Sequence, residues 1–141
     1  MTNREKYILS IYEELSDMGK HENVKLVKNT VNDGIYIKKT LKNYNIEIYK
    51  ILKNRQIKGI PKVYEIIEDE KELIIIEEYI HGLTLDKKYN KTDVETVKKI
   101  MEQLCNILKQ LHNMNPPIIH RDIKPTNIMV SNDDVVYLVD F

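Results

Sequence analysis

The chain has 141 residues, enough for one domain or part of a larger one, and a folded domain of this size buries about two-thirds of its unfolded surface. With 42% apolar and 31% charged residues it reads as globular, and 22 basic residues balance 22 acidic ones, so no overall field calls for nucleic acid or an anionic membrane. One cysteine, Cys105, excludes an internal disulfide and a cysteine-zinc cluster, and its place in an apolar helical pattern predicts a small buried hydrophobe.

The opening stretch MTNREKYILS is charged and lacks a signal-peptide core, so a cytoplasmic location is expected. Ile8, Ile11, Tyr12 and Leu15 suit a short helix or a first strand. Val24 to Val27 and Ile35 to Leu41 read as a hairpin turning at Asp33-Gly34. Residues 44 to 53 follow as a short helix with Ile48, Ile51 and Leu52 on one face, broken at Gly59-Ile60-Pro61. Two more strands are expected, Val63 to Ile67 and Glu72 to Tyr79, joined by Glu68-Asp69-Glu70. The apolar run Leu73 to Ile76 is far too short to span a bilayer.

His81-Gly82 marks a boundary, so the chain divides into residues 1–80, rich in strands with one helix, and 81–141. Thr92 with Glu95 forms a capping box. A long amphipathic helix follows, with Val94, Val97, Met101, Leu104, Leu108 and Leu111 as its apolar face. Asn115-Pro116-Pro117 ends it, and strands at Ile128 to Val130 and Val135 to Val139 flank a turn at Ser131 to Asp134. The class is α+β. Composition and periodicity say nothing further about function.

Chemistry enters with His120-Arg121-Asp122-Ile123-Lys124-Pro125-Thr126-Asn127, a polar loop between the long helix and the last hairpin. Thirteen residues after Asn127 comes Asp140-Phe141. This pattern resembles the catalytic loop of protein kinases, HRDxxxxN, followed by the start of DFG. Lys124, two residues after the aspartate, resembles serine/threonine rather than tyrosine kinases, and Pro116-Pro117-Ile118-Ile119 is similar to bacterial members.

The resemblance implies a kinase-like fold: a complete β-rich N-lobe with one helix, then the start of a helical C-lobe. It implies ATP and Mg2+ as cofactors and a protein with Ser/Thr hydroxyls as substrate. γ-Phosphoryl transfer demands positioning and neutralised charge more than covalent help. Asp122 would accept or orient the hydroxyl proton, Lys124 would offset charge on the moving phosphoryl group, and Asn127 and Asp140 supply hard oxygens suited to magnesium. His120 and Arg121 would hold the loop.

The same resemblance asks for a lysine on the third strand paired with a glutamate on the next helix. Lys38 and Lys39 both fall on the strand that starts at Ile35. Alternation puts Ile35, Ile37, Lys39 and Leu41 on one face and Tyr36, Lys38 and Thr40 on the other. An aliphatic floor for adenine favours Lys39; Lys38 is the other register. Glu47 is its expected partner, as the only acidic residue between that lysine and Glu65. Leu73 to Ile80 resembles the fifth strand and hinge, with Glu78 to Ile80 offering backbone groups to adenine. Glu77 takes the position behind the pocket that usually holds an apolar residue, and would otherwise be an exposed strand glutamate. Val24, Ile37 and Met129 join the ATP-binding set on the same ground.

Two departures stand out. Where the family has a loop reading GxGxxGxV, counting back from Val24 gives Asp17, Gly19 and Glu22, so Gly19 alone matches and weaker ATP affinity is expected. The chain also stops two residues into DFG. The expectation is therefore the N-terminal portion of a serine/threonine kinase, whose missing C-lobe or a partner covers the long helix. The alternative is a truncated pseudokinase that binds nucleotide or a partner. A small-molecule phosphotransferase, whose loop more usually reads HGDxxxxN, is disfavoured by Arg121.

Overall fold

The computed structural model describes residues 1–17, 22–89, 91 and 93–141. They form two compact units, Met1–Arg55 with Lys62–Tyr79, and Gln56–Pro61 with Ile80–Phe141.

The first unit opens with helix α1 (Asn3–Ser10), started by a capping box in which Glu5 N–H bonds Thr2 Oγ1 and Thr2 N–H bonds the Glu5 carboxylate. Strand β1 (Tyr12–Asp17) follows at once, so the opening segment is both helix and strand, each offset from the periodic run that suggested them. The remaining elements are β2 (Val24–Asn29), β3 (Ile35–Leu41), α2 (Ile46–Asn54), β4 (Val63–Asp69) and β5 (Glu72–Glu78). The five strands form an antiparallel sheet in the order β1-β2-β3-β5-β4.

The β2–β3 turn is built by side chains. Asn29 Oδ1 takes the N–H groups of Val31 and Asn32, Asn32 Oδ1 takes that of Gly34, and Asp33 adopts a φ of 60°. Strand β5 is covered on both faces from Leu73 to Glu77, which is why its sequence is a continuous apolar run instead of an alternation. Helix α2, capped by Asn45, packs on β4 and buries Tyr49 and Leu52. Ile48 and Ile51, expected to face inward with Leu52, are half-buried.

The second unit contains β6 (Gly82–Thr84), α3 (Leu85–Lys88), α4 (Val94–His112), a 3-10 turn (Pro125–Asn127), β7 (Ile128–Ser131) and β8 (Val136–Leu138). Its three strands pair in that order as an antiparallel sheet. Strand β6, only three residues long, has no periodic signal. Gly82 is required there because a Cβ would overlap the Val130 carbonyl. Residues 56–61 join this unit through Leu138 N–H, which bonds Gly59 O at 2.8 Å. Gly59 itself has a φ of 90° and leaves no room for a Cβ beside Ile107.

The expected cap Thr92 lies outside the described residues. The N-cap of α4 is Asp93, whose carboxylate takes Thr96 N–H at 2.7 Å. The buried row of α4 is Ile100, Leu104, Ile107 and Leu111, spaced as one helical stripe. The expected apolar face is covered only in part: Leu104 and Leu111 are buried, whereas Val94, Val97 and Met101 are exposed, at 80, 44 and 49%. The helix carries two overlapping apolar rows, and Gln103, beside the buried one, clamps β8. Its Oε1 takes Val136 N–H and its Nε2 donates to Asp134 O. Cys105 is likewise exposed rather than buried, one position past the Leu104 stripe. Among the described residues, no helix is long and apolar enough to cross a membrane.

Candidate active site

Strand pairing separates the two lysines of β3. Lys39 lies opposite Val24 of β2 and Ile75 of β5, and Ile37 lies opposite Leu26 and Glu77. Val24, Leu26, Ile37, Lys39, Ile75 and Glu77 thus share one face. Lys39 and Glu77 are diagonal neighbours on it, both buried, with Nζ 2.6 Å from Oε1. Lys38 points to the opposite face and meets Glu14 at 3.3 Å, as Lys25 does at 3.0 Å. Those lysines hold the Glu14 carboxyl below its ordinary value, the Lys25 hydrogen bond contributing most. An open polar depression lined by Glu14, Lys25, Lys38 and Thr40 lies on this second face.

The Glu47 carboxylate does not meet Lys39. It is largely exposed and lies 3.1 Å from Lys50, one turn on along α2. Elimination along the sequence missed Glu77 because that residue follows Glu65, on a strand that pairs with β3 only in the folded sheet. Glu77 is therefore not the exposed strand residue that its charge alone suggests. Glu78 is half-buried; its N–H donates to Lys62 O at 2.8 Å and its carboxylate takes Lys62 N–H at 3.0 Å.

In the second unit the polar loop is fastened from below. His120 is buried; Asp122 N–H donates to its Nδ1 at 3.2 Å, which leaves the ring proton on Nε2 to bond Val139 O at 2.6 Å. Its ring meets Phe141 edge-on, 4.8 Å between centroids. Arg121 and Asp140 have positive φ, 71° and 60°, so the backbone turns sharply at both ends of this contact.

Asn127 is buried at the end of the 3-10 turn and donates from Nδ2 to both the carbonyl and the carboxylate of Asp122, at 2.9 and 3.0 Å. Lys124 Nζ reaches the same carboxylate at 3.4 Å. Val139 N–H bonds Asn127 O at 3.0 Å, which sets Asp140 one residue from Asn127's backbone partner. With both amide hydrogens of Asn127 committed to Asp122, its side-chain oxygen is left as an acceptor, a hard oxygen like those of the Asp140 carboxylate. Met129 is half-buried on β7 opposite Tyr137 and Thr84, and Ile80 is buried in the same unit. Gly19 lies outside the described residues.

Residues 12–141 match the protein kinase domain family. The chain belongs to that family. Similar kinases include Serine/threonine-protein kinase D of Synechocystis, 37% identical over 83 residues (58% of this chain, 16% of the relative). A serine/threonine-protein kinase of Saccharomyces cerevisiae is 34% identical over 128 residues (89% and 16%). A probable serine/threonine-protein kinase of Clostridium acetobutylicum is 36% identical over 84 residues (59% and 13%). The kinase-domain chain thus spans less than a fifth of the length of these three relatives. Its α+β architecture, a five-stranded antiparallel sheet with helices, agrees with the kinase fold.

Proposed function

We propose that the chain carries the nucleotide-binding and catalytic-loop residues of a serine/threonine protein kinase, which transfers the γ-phosphate of ATP to Ser/Thr hydroxyls of a protein. The observation that carries this reading is the hold on Asp122: two bonds from Asn127, one ion pair with Lys124 and a backbone bond to His120. The backbone contacts seat the residue, and Asn127 and Lys124 both reach the same carboxylate oxygen, Oδ2, which favours one direction for the side chain, as orienting a substrate hydroxyl requires.

Asp122 takes or orients the hydroxyl proton. Lys124, half-exposed beside it, can turn its ammonium from Asp122 toward charge building on the phosphoryl oxygens. On the sheet, Lys39 is the ATP lysine, supported by its place on the same face as Ile37 and Val24, which form the apolar floor for adenine. Lys38, committed to Glu14 on the other face, is the weaker choice. Glu78 and Ile80 offer backbone groups to the adenine edge, and Met129 an apolar contact.

Mg2+ fits the oxygen donors of Asn127 and Asp140, and when bound it would neutralise phosphate charge. A cytoplasmic location follows from the same reading, as does a protein substrate. The second reading, a binding module without transfer, draws on Glu47, which engages Lys50 and not Lys39.

The test is incubation of the full-length protein with γ-labelled ATP and a mixed protein substrate, with and without Mg2+. Label on Ser or Thr that requires Mg2+ supports the kinase reading. Nucleotide binding without any transfer supports the binding module.

A further inference from the structure

We propose that Glu77 is the positioning residue for Lys39, in the place that a helix-borne glutamate was expected to fill; the inference rests on the ATP-lysine reading above. In the β3–β5 register Ile37 faces Glu77 and Lys39 faces Ile75, so the charges occupy a diagonal pair that long side chains can bridge. They do so at 2.6 Å, with 9 and 10% of each side chain exposed. Glu77 also lies opposite Val63 of β4, which puts the carboxylate on a central strand flanked on both sides.

The helix alternative is otherwise engaged: Glu47 bonds Lys50, and its side chain is 69% exposed. A partner on the neighbouring strand is fixed by the backbone hydrogen bonds of the sheet, whereas a partner on α2 moves whenever the helix does. Low dielectric around the buried pair strengthens the attraction and penalises any arrangement that parts the charges. Lys39 is thereby held at one place on the adenine-floor face whatever the position of α2. The exposed pairs of Lys25 and Lys38 with Glu14 lack that constraint.

The test compares full-length wild type with Glu77→Gln and Glu47→Gln. Amine acylation at Lys39, read by peptide mass spectrometry, reports the pair without any nucleotide, and the Kd for MgATP reports its use. Removing the Glu77 charge raises the neutral fraction of the Lys39 amine, so acylation of Lys39 rises about tenfold. Lys38 keeps its rate, and the Kd for MgATP rises by a similar factor. Glu77→Asp, which keeps the charge on a shorter stem, gives an intermediate acylation rate, and it replaces Glu77→Gln if circular dichroism shows that variant unfolded.

Wild-type acylation of Lys39 in Glu77→Gln, or an equal rise in Glu47→Gln, overturns the proposal. If Glu77→Gln exposes Lys39 but the wild type binds no MgATP, the ion pair stands. The ATP role of both residues then fails with the kinase reading.

Discussion

Asn127 holds Asp122 twice, its Nδ2 donating to the backbone carbonyl at 2.9 Å and to the carboxylate at 3.0 Å. The side chain therefore closes the loop on itself, tying its last residue to the one proposed to do chemistry. Asn127→Ala removes both bonds at a buried position, and each bond to a charged or buried acceptor is worth about 1–3 kcal/mol. The urea midpoint of the variant is expected to fall by a corresponding amount. An unchanged midpoint would show that the loop is held by other contacts.

The two lysines of β3 should differ in stability effects as sharply as they differ in burial. Glu77→Ala leaves the Lys39 charge buried without that carboxylate, and breaking a buried pair costs about 3–5 kcal/mol. Glu14→Ala removes a solvent-screened partner of Lys25 and Lys38, worth at most about 1 kcal/mol. Equal losses in a chemical denaturation series would mean that the Lys39–Glu77 pair is not buried in solution.

Gly82 is a packing requirement of the small sheet. A Cβ there overlaps the Val130 carbonyl on the paired strand. Gly82→Ala is expected to push β6 from β7 and cost about 1–3 kcal/mol. Amide exchange at Asn132, whose N–H bonds His81 O next to Gly82, is the local readout. Protection equal to wild type would contradict the close approach.

Asp93 gives α4 a pH-dependent start. Its backbone hydrogen bond from Thr96 holds the carboxyl below its ordinary value of 3.8. A group with a depressed folded-state pKa contributes stability that is present above the unfolded value and lost as pH falls through the folded one. Asp93→Asn can still cap but carries no charge. The difference in Tm between wild type and Asp93→Asn should therefore shrink as pH drops below 3.8. A constant difference across that window would remove the charge from the account.

Sequence alone carries the strands with clear alternation and the loop HRDIKPTN, since both depend on local spacing. It also carries the separation of Lys38 and Lys39 onto opposite faces of β3, because period two fixes which residues share a face. What it misses depends on pairing between distant segments. Glu77 meets Lys39 only after β5 is placed beside β3, and Glu47, close in sequence, is drawn to Lys50 by helical spacing. The apolar face of α4 is legible from its spacing, but which part of it is buried in this unit depends on contact with β8, where Gln103 bonds Asp134 and Val136. Strand β6 is too short for periodicity to register; its one local sign is a glycine whose need arises across the sheet.

The central claim is that Asp122 does the chemistry of phosphoryl transfer. The most direct measurement compares full-length wild type and Asp122→Asn for label transferred from γ-labelled ATP to protein Ser/Thr, with circular dichroism and MgATP binding recorded on the same samples. The account predicts an intact fold, retained nucleotide binding and transfer reduced to background in Asp122→Asn. Transfer at the wild-type rate in that variant would contradict it.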